Sequence, residues 1–425
     1  MTGPDNPSRK HAEEGAQVSP PSSLEGHIRS DKRPAYVAYA AHALHDGFTD
    51  LMYVLLPLFQ AEFALAYAQT GLLRSIYAGA MAAFQVPSGQ LAGRFGNRAI
   101  LAAGTALAAF GFLLAGIGNS FAALIVALAV LGLGLSTQHP ISADLVAETY
   151  EGAASRKAIG TYNFAGDIGK MIFPAAVALL LLVLSWRGAA LSVGFFGLCA
   201  AIAIFVALAP AARHAHHSDA NAKVSEPASS SAIPSRSNFI TLLSIGVIDS
   251  ATRMGFLTFL PFLLQQKGAS VQSIGFALTL VFAGGALGKF VCGHLGARFG
   301  TIATVLLTEG LTAACILLLI PLPLVPAFVL LPILGIMLNG TSSVLYGSVP
   351  ELAGPAERRR AFAIFYTGTI GSGAVSPVIY GLFSDAIGVA SMMGVVAGVV
   401  LLTLPLAWKL RSAWPRAAEG RATVS

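Results

Sequence analysis

Twelve apolar runs recur along the chain, each long enough to cross a bilayer, and they leave little freedom in what it can fold into. They lie at about 35–60, 68–92, 98–118, 121–147, 157–184, 188–210, 238–264, 271–295, 301–321, 325–350, 359–383 and 388–410, against the ~20 residues that a spanning helix requires. In hydrocarbon every backbone N–H and C=O must be satisfied within the chain, so runs of this length are helices. Of all residues 11% are charged and 55% hydrophobic, with a mean hydropathy of +0.71. A soluble domain is about one-quarter charged. The expected fold class is an all-α polytopic membrane protein, with twelve transmembrane helices in two six-helix bundles.

The charges that remain are unevenly placed. Loops after even-numbered runs hold Arg94, Arg98, Arg156, Lys157, Arg213, Lys223, Arg236, Arg298, Arg358, Arg359 and Arg360, whereas loops after odd-numbered runs hold only Arg187 and Lys267. By the positive-inside rule both termini are cytoplasmic. The net charge of +6 is thus a matter of orientation and implies no nucleic-acid partner. The expected organisation is a cytoplasmic tail at 1–33, a six-helix bundle at 34–210, a polar Ser/Ala-rich cytoplasmic linker at 211–237, a second bundle at 238–411 and a tail at 412–425. Residues 1–33 lack the apolar core of a signal peptide. His214, His216 and His217 read as part of a solvated linker rather than a metal site.

The halves are related. GQLAGRFG at 89–96 matches GHLGARFG at 293–300 in five of eight positions, at an offset of 204. The same offset sets Pro57 on Pro261, and an offset of 203 sets Pro174 on Pro377 and Ala158 on Ala361. A parallel duplication of six helices follows.

Against this apolar background, AHALHDGFTD at 41–50 places two histidines and two aspartates in the first run. His42, Asp46 and Asp50 recur every fourth residue and share one helix face, with His45 beside them. A charge at the bilayer centre costs about 2.5–3.5 kcal/mol by insertion scales, so such residues face a protein interior or a wet cavity. Helical spacing pairs Asp167 with Lys170 and Asp249 with Arg253, and matching depth pairs Asp50 with Arg74. Each pair is read either as static charge cancellation or, for the first two, as a place where a substrate exchanges in. Asp46 is left with only His42, His45 or His139 nearby. An acid desolvated without a fixed cation holds a proton more tightly, and histidine changes charge near neutral pH. Asp46, with His42 and His139, is therefore the expected proton-coupling group; the alternative is a neutral hydrogen-bonded network. For His45 an interhelical hydrogen bond is expected. Asn163, Asn339, Ser342, Ser343, Tyr346 and Tyr366 are uncharged candidates for a cavity lining. Lys289 is read as reaching to the cytoplasmic interface, with substrate contact as the alternative. Glu309 and Glu351 are read as latches to basic loop residues such as Arg298 and Arg358.

No GxxxxGK[ST] loop and no HExxH motif occurs, so neither ATP-driven pumping nor zinc chemistry is expected. Cys199, Cys292 and Cys315 lie in apolar runs without CxxC spacing. No cofactor, metal site or enzymatic activity is expected.

With twelve runs, the 6+6 duplication and the loop motif Gly89, Leu91, Arg94, Gly96 and Arg98, repeated as Gly293, Arg298 and Gly300, the chain resembles the major facilitator superfamily. Gly93 stands where that motif usually has Asp, a residue that helps latch the cytoplasmic side. Within the superfamily it resembles the fosmidomycin-resistance-like efflux proteins. Three places carry this: His42-x-Leu44-x-Asp46 followed by Pro57-Leu58, then His139-Pro140, then Gly166-x-x-Gly169 before Pro174. That family tends to have Glu after His-Pro, where this chain has Ile141. The resemblance implies a monomeric secondary transporter in the bacterial inner membrane, exporting a small organic solute in exchange for protons. Lys170 and Arg253 point to an anionic or zwitterionic substrate. A proton-coupled importer of an organic anion or nutrient is the alternative, and a non-transporting receptor or scaffold on the same fold is a third. Apart from substrate and protons, the expected partner is the lipid bilayer.

Overall fold

The computed structural model describes residues 31–150, 152–209, 236–352 and 358–411. Most of both tails, the linker with its three histidines, and the side chains of Arg156, Glu351, Arg358 and Arg359 lie outside the described residues. The described chain is helical throughout. The first half runs α1 (Arg33–Asp50), α2 (Met52–Phe63), α3 (Tyr67–Phe95), α4 (Asn97–Ile117), α5 (Phe121–Leu135), α6 (Gln138–Thr149), α7 (Gly152–Leu180) and α8 (Trp186–Ala207). The second runs α9 (Arg236–Gln266), α10 (Val271–Phe299), α11 (Thr301–Leu319), α12 (Leu324–Leu352), α13 (Arg358–Ile387), α14 (Val389–Leu401) and α15 (Thr403–Arg411). In each half, six spans result once α1 joins α2, α5 joins α6 and α14 joins α15.

Those joints have local causes. Pro140 has no N–H to give the Ser136 carbonyl and its ring crowds that carbonyl, so the fourth span breaks at 136–137. Pro405 acts likewise on Leu401, and the last span breaks at Leu402. In the first span the Thr49 carbonyl accepts the Tyr77 hydroxyl at 3.1 Å instead of serving the helix ladder. Leu51 then closes a tighter turn to Val54.

Ten of the twelve spans are long and apolar enough to cross a membrane by length and hydropathy alone. The two that fall short are α1–α2 and α3. They carry His42, His45, Asp46, Asp50 and Arg74, all buried.

Packing shows where the molecule is closed. One apolar cluster draws on both halves, with Phe48, Leu55 and Phe59 from the first against Phe256, Phe259 and Phe262 from the second. Two further clusters stay within one half each, around Leu101 and Val146 and around Val305 and Phe365. At the shared end Asp385 of α13 accepts from the backbone N–H groups of Tyr67 and Ala68 at 2.7 and 2.9 Å, capping α3 from the opposite half. Thr279 of α10 donates to the Met171 carbonyl of α7 at 3.0 Å. The halves are therefore sealed at this end and part towards the other, which carries the two RFG loops. Gly96 and Gly300 close those loops with φ of +87° and +82°. That left-handed backbone favours glycine, which explains why the repeat keeps it.

The two odd-loop cations serve the sealed end. Arg187 bonds Glu62 at 2.5 Å and the Gly118 carbonyl at 2.7 Å, and Trp186 donates to the same Glu62. Lys267 caps α11 through the carbonyls of Ile320 and Leu322 at 2.6 and 2.7 Å.

Candidate functional site

The first half builds its polar centre where α7 lies on α1. The approach depends on Gly166 and Gly169. A Cβ on Gly169 would strike the Ala43 carbonyl, and one on Gly166 would overlap His42 and Asp46. Because α7 sits this close, Lys170 Nζ reaches Asp46 Oδ2 at 3.2 Å. His42 Nε2 lies 3.6 Å from the same oxygen and His139 Nε2 lies 4.0 Å from Oδ1. His139 is set there by the Pro140 break, at the start of α6. His42 stacks on Tyr162 with ring centroids 4.0 Å apart, and Gln138 donates to the Tyr162 hydroxyl at 3.0 Å. His45 points away and bonds Thr105 Oγ1 of α4 at 2.8 Å, the interhelical bond expected.

The donor atoms of His42, Asp46 and His139 lie within 4.8 Å of one another. Lys170 already supplies a positive charge to that carboxylate, so this is a charged network in which a divalent ion would compete with an ammonium.

The second ion pair joins the halves. Lys289 Nζ of α10 bonds both Asp167 oxygens of α7 at 2.7 Å. In both pairs the lysine is the accessible partner: Lys170 and Lys289 are 31% and 36% exposed, against 12% and 8% for Asp46 and Asp167.

Several expected pairings are corrected here. Asp167 and Lys170 do not pair with each other, because neighbouring helices offer each a better-placed partner. Asp46 is not without a cation, since it holds Lys170. Lys289 does not reach for the interface; it is held by Asp167. Asp50 and Arg74 make no ion pair among the described residues. Arg74 instead donates from Nε and Nη2 to the Tyr53 hydroxyl at 3.3 Å, contacts Met254 Sδ at 3.3 Å and lies 4.5 Å over the Tyr77 ring. Asp249 and Arg253 likewise make no ion pair; Arg253 Nη1 donates to Ser342 Oγ at 3.2 Å. Glu309 is no surface latch to Arg298, for it is 2% exposed and meets Asp249.

Of the uncharged candidates, Ser342 sits on Arg253 and bonds the Asn339 carbonyl at 3.1 Å. Asn339 itself bonds back to Gly335 at 3.3 Å. Tyr346 bonds Thr369 at 2.8 Å and lies 6.2 Å from the Tyr366 ring. Tyr366 also meets Gln85 across the halves. Asn163 and Ser343 are exposed. In the loop motif Arg98 bonds the Phe205 carbonyl at 2.7 Å and stacks on its ring at 3.8 Å, while Arg94 and Arg298 lie over Phe95 and Phe299. Gly89, Gly93 and Gly293 meet little or nothing. Tyr53, Gln138 and Tyr162 join the site without a sequence signal, because helical spacing does not show which charged group a lone tyrosine or glutamine meets.

Two six-helix halves, sealed at one end and joined across a buried charged centre, define a polytopic membrane transporter rather than an enzyme. The chain belongs to the Major Facilitator Superfamily, whose family model matches residues 38–249 and 242–423, one match in each half. It is 25% identical over 371 residues to the fosmidomycin resistance protein of Escherichia coli K12, covering 85% of this chain and 89% of that one. It is also 25% identical over 377 residues to the probable sulfoacetate transporter of Cupriavidus necator, covering 82% and 86%. Among solved structures it resembles a bacterial homologue of the human lysosomal transporter Spinster. That match has a TM-score of 0.75 at 17% identity, over 89% of this chain and 97% of that one, a likeness of fold.

Proposed function

We propose that this chain is a proton-coupled transporter of a small organic anion, working as a monomer in the bacterial inner membrane with both termini cytoplasmic. Its two bundles, 34–210 and 238–411, rock about the charged centre, with the linker 211–237 between them. The open end is then the cytoplasmic one. The observation that carries the reading is the asymmetry of the two ion pairs: each presents an accessible ammonium in front of a buried carboxylate. An anion entering from the open end takes Lys170, Lys289 or both. Asp46 and Asp167 are then left buried without a cation, a state costly enough that a carboxylate takes up a proton instead. His42 and His139 stand beside Asp46 to relay that proton.

This exchange fixes the sign of coupling. Anion binding raises the affinity for a proton and, by linkage, the proton raises the affinity for the anion. Solute and proton therefore move together, which is symport. Asp46 becomes an acid without a cation only when the substrate draws Lys170 away from it. The name of the Cupriavidus relative is in keeping with a small anionic solute.

The second reading is efflux by exchange for protons, favoured by the name of the Escherichia coli relative. It requires a substrate that competes with the proton for Asp46, such as an amine, and so suits a cationic or zwitterionic solute. Calorimetric titration of the purified protein with sulfonates, phosphonates and carboxylates, in buffers of different ionisation enthalpy, separates the two. Proton uptake on anion binding supports the first reading. Proton release on binding contradicts it and supports the second.

A further inference from the structure

The second half holds a group that the ion-pair exchange does not use. Asp249 of α9 and Glu309 of α11 are 5% and 2% exposed, and their carboxyl groups face each other as neighbours. Oε1 of Glu309 is buried without a hydrogen-bond partner. A hydrogen bond between two carboxyl groups needs a proton, because two carboxylates have only acceptors. Two adjacent buried carboxylates would also repel strongly at low dielectric.

Among the described residues no cation is in ion-pair contact with either carboxyl group. Arg253 is one turn along α9 from Asp249 but is not in ion-pair contact with it; its Nη1 is spent on Ser342 and its Nε is unbonded. From α12, the Thr341 hydroxyl donates to Thr308 at 2.7 Å, and the Tyr346 phenol bonds Thr369. On α10 Lys289 is bound to Asp167, and Arg298 lies in the last turn over the Phe299 ring. On α13 Arg360 is exposed at the helix start, and Asp385 caps α3. α14 carries no charged residue, and Lys409 and Arg411 lie in the last turn of α15. Glu62, on α2, is bonded to Arg187.

The duplication gives this pair its context. The offset of 204 that relates the RFG loops also sets His45 on Asp249 and Thr105 on Glu309. His45 and Thr105 form the corresponding α1–α4 hydrogen bond of the first half, at 2.8 Å. One interhelical contact of the repeat is thus a histidine–threonine bond in one half and a meeting of two acids in the other.

We propose that Asp249 and Glu309 form a second proton-binding site, holding one proton shared between two carboxyl groups. The proton leaves when Arg253 lets go of Ser342 and turns to Asp249, replacing the proton as the positive partner. This site is separate from Asp46, whose carboxylate is paired with Lys170 and needs no proton in this conformation.

Infrared difference spectroscopy on the purified full chain, in H2O and D2O, tests this through the carbonyl stretch of protonated carboxyl groups. Asp249→Asn and Glu309→Gln should each abolish one and the same band, because the new amide donates to the remaining carboxylate. The double variant should remove no more than either single one. Asp249→His with Glu309→Thr, which copies the first-half pair, should fold and lack the band. Asp46→Asn should keep it, so failure here and failure of the proton role of Asp46 are distinguishable. Survival of the band in either single variant overturns the shared proton. A double variant that loses twice the intensity of each single one does so too, as does loss of the band in Asp46→Asn.

Discussion

Lys170 Nζ of α7 lies 3.2 Å from Asp46 Oδ2 of α1, and this contact replaces the expected pairing of Lys170 with Asp167. Removing the lysine alone leaves a buried carboxylate without its cation, which costs about 3–5 kcal/mol when a buried pair is broken. The partial exposure of Lys170 places the loss towards or below the lower figure. Lys170→Gln should therefore lower thermal stability in detergent and abolish anion binding. The double variant Asp46→Asn/Lys170→Gln should recover most of the stability without recovering binding. A double variant less stable than Lys170→Gln contradicts the pairing.

Lys289 and Asp167 tie the halves together near the centre. Lys289→Met should loosen this conformation, so a cysteine placed at the sealed end, at Ala68 against Gly381, becomes more reactive to a water-soluble thiol reagent. The charge swap Asp167→Lys/Lys289→Asp should restore protection. Unchanged reactivity in Lys289→Met would show that the pair does not hold the halves.

Arg74 and Tyr53 should be strongly coupled, Arg74 and Asp50 weakly. Tyr53→Phe leaves Arg74 Nε without its acceptor and Nη2 with only the Met254 sulfur, at a cost of about 1–3 kcal/mol for a buried charged donor. Double-mutant cycles on thermal unfolding should give the larger coupling to the Arg74/Tyr53 pair. A larger coupling for Arg74/Asp50 would restore the pairing expected from depth.

Three glycines should answer differently to alanine. Gly169→Ala pushes a Cβ into the Ala43 backbone, where overpacking costs about 1–3 kcal/mol, and should separate Lys170 from Asp46. Gly93 is helical with nothing within 4 Å, so Gly93→Ala should stabilise by up to about 1 kcal/mol. Gly96→Ala must hold a φ of +87°, at about 1–2 kcal/mol. Thermal shifts of the three purified variants check the order.

Much of the architecture was legible in the residues, for definite reasons. Bilayer thickness sets the length of each run, so the spans need no knowledge of packing; the breaks before Pro140 and Pro405 were not legible, because Pro87, Pro174, Pro261 and Pro377 lie inside unbroken helices. The partners of the charges were not legible. Helical spacing reports which residues share a face, as with Asp167 and Lys170, but not which neighbouring helix that face meets. Once Gly166 and Gly169 bring α7 onto α1, Lys170 has Asp46 across the interface, and Asp167 is free for Lys289. Nearness in sequence to the Arg298 loop suggests a latch, but the third turn of α11 lies in the packed interior, and Glu309 with it. The offset of 204 already aligned it with Thr105 and Asp249 with His45, a signal within reach of the same repeat that aligned the loops.

The most direct measurement is transport by the purified protein in liposomes, with sulfoacetate and a small phosphonate as solutes and an imposed pH gradient. The account predicts that solute accumulates on the alkaline side, moving with protons, and that Asp46→Asn and Lys170→Gln each abolish this driven accumulation. Accumulation on the acidic side, against the flow of protons, would contradict it and establish exchange.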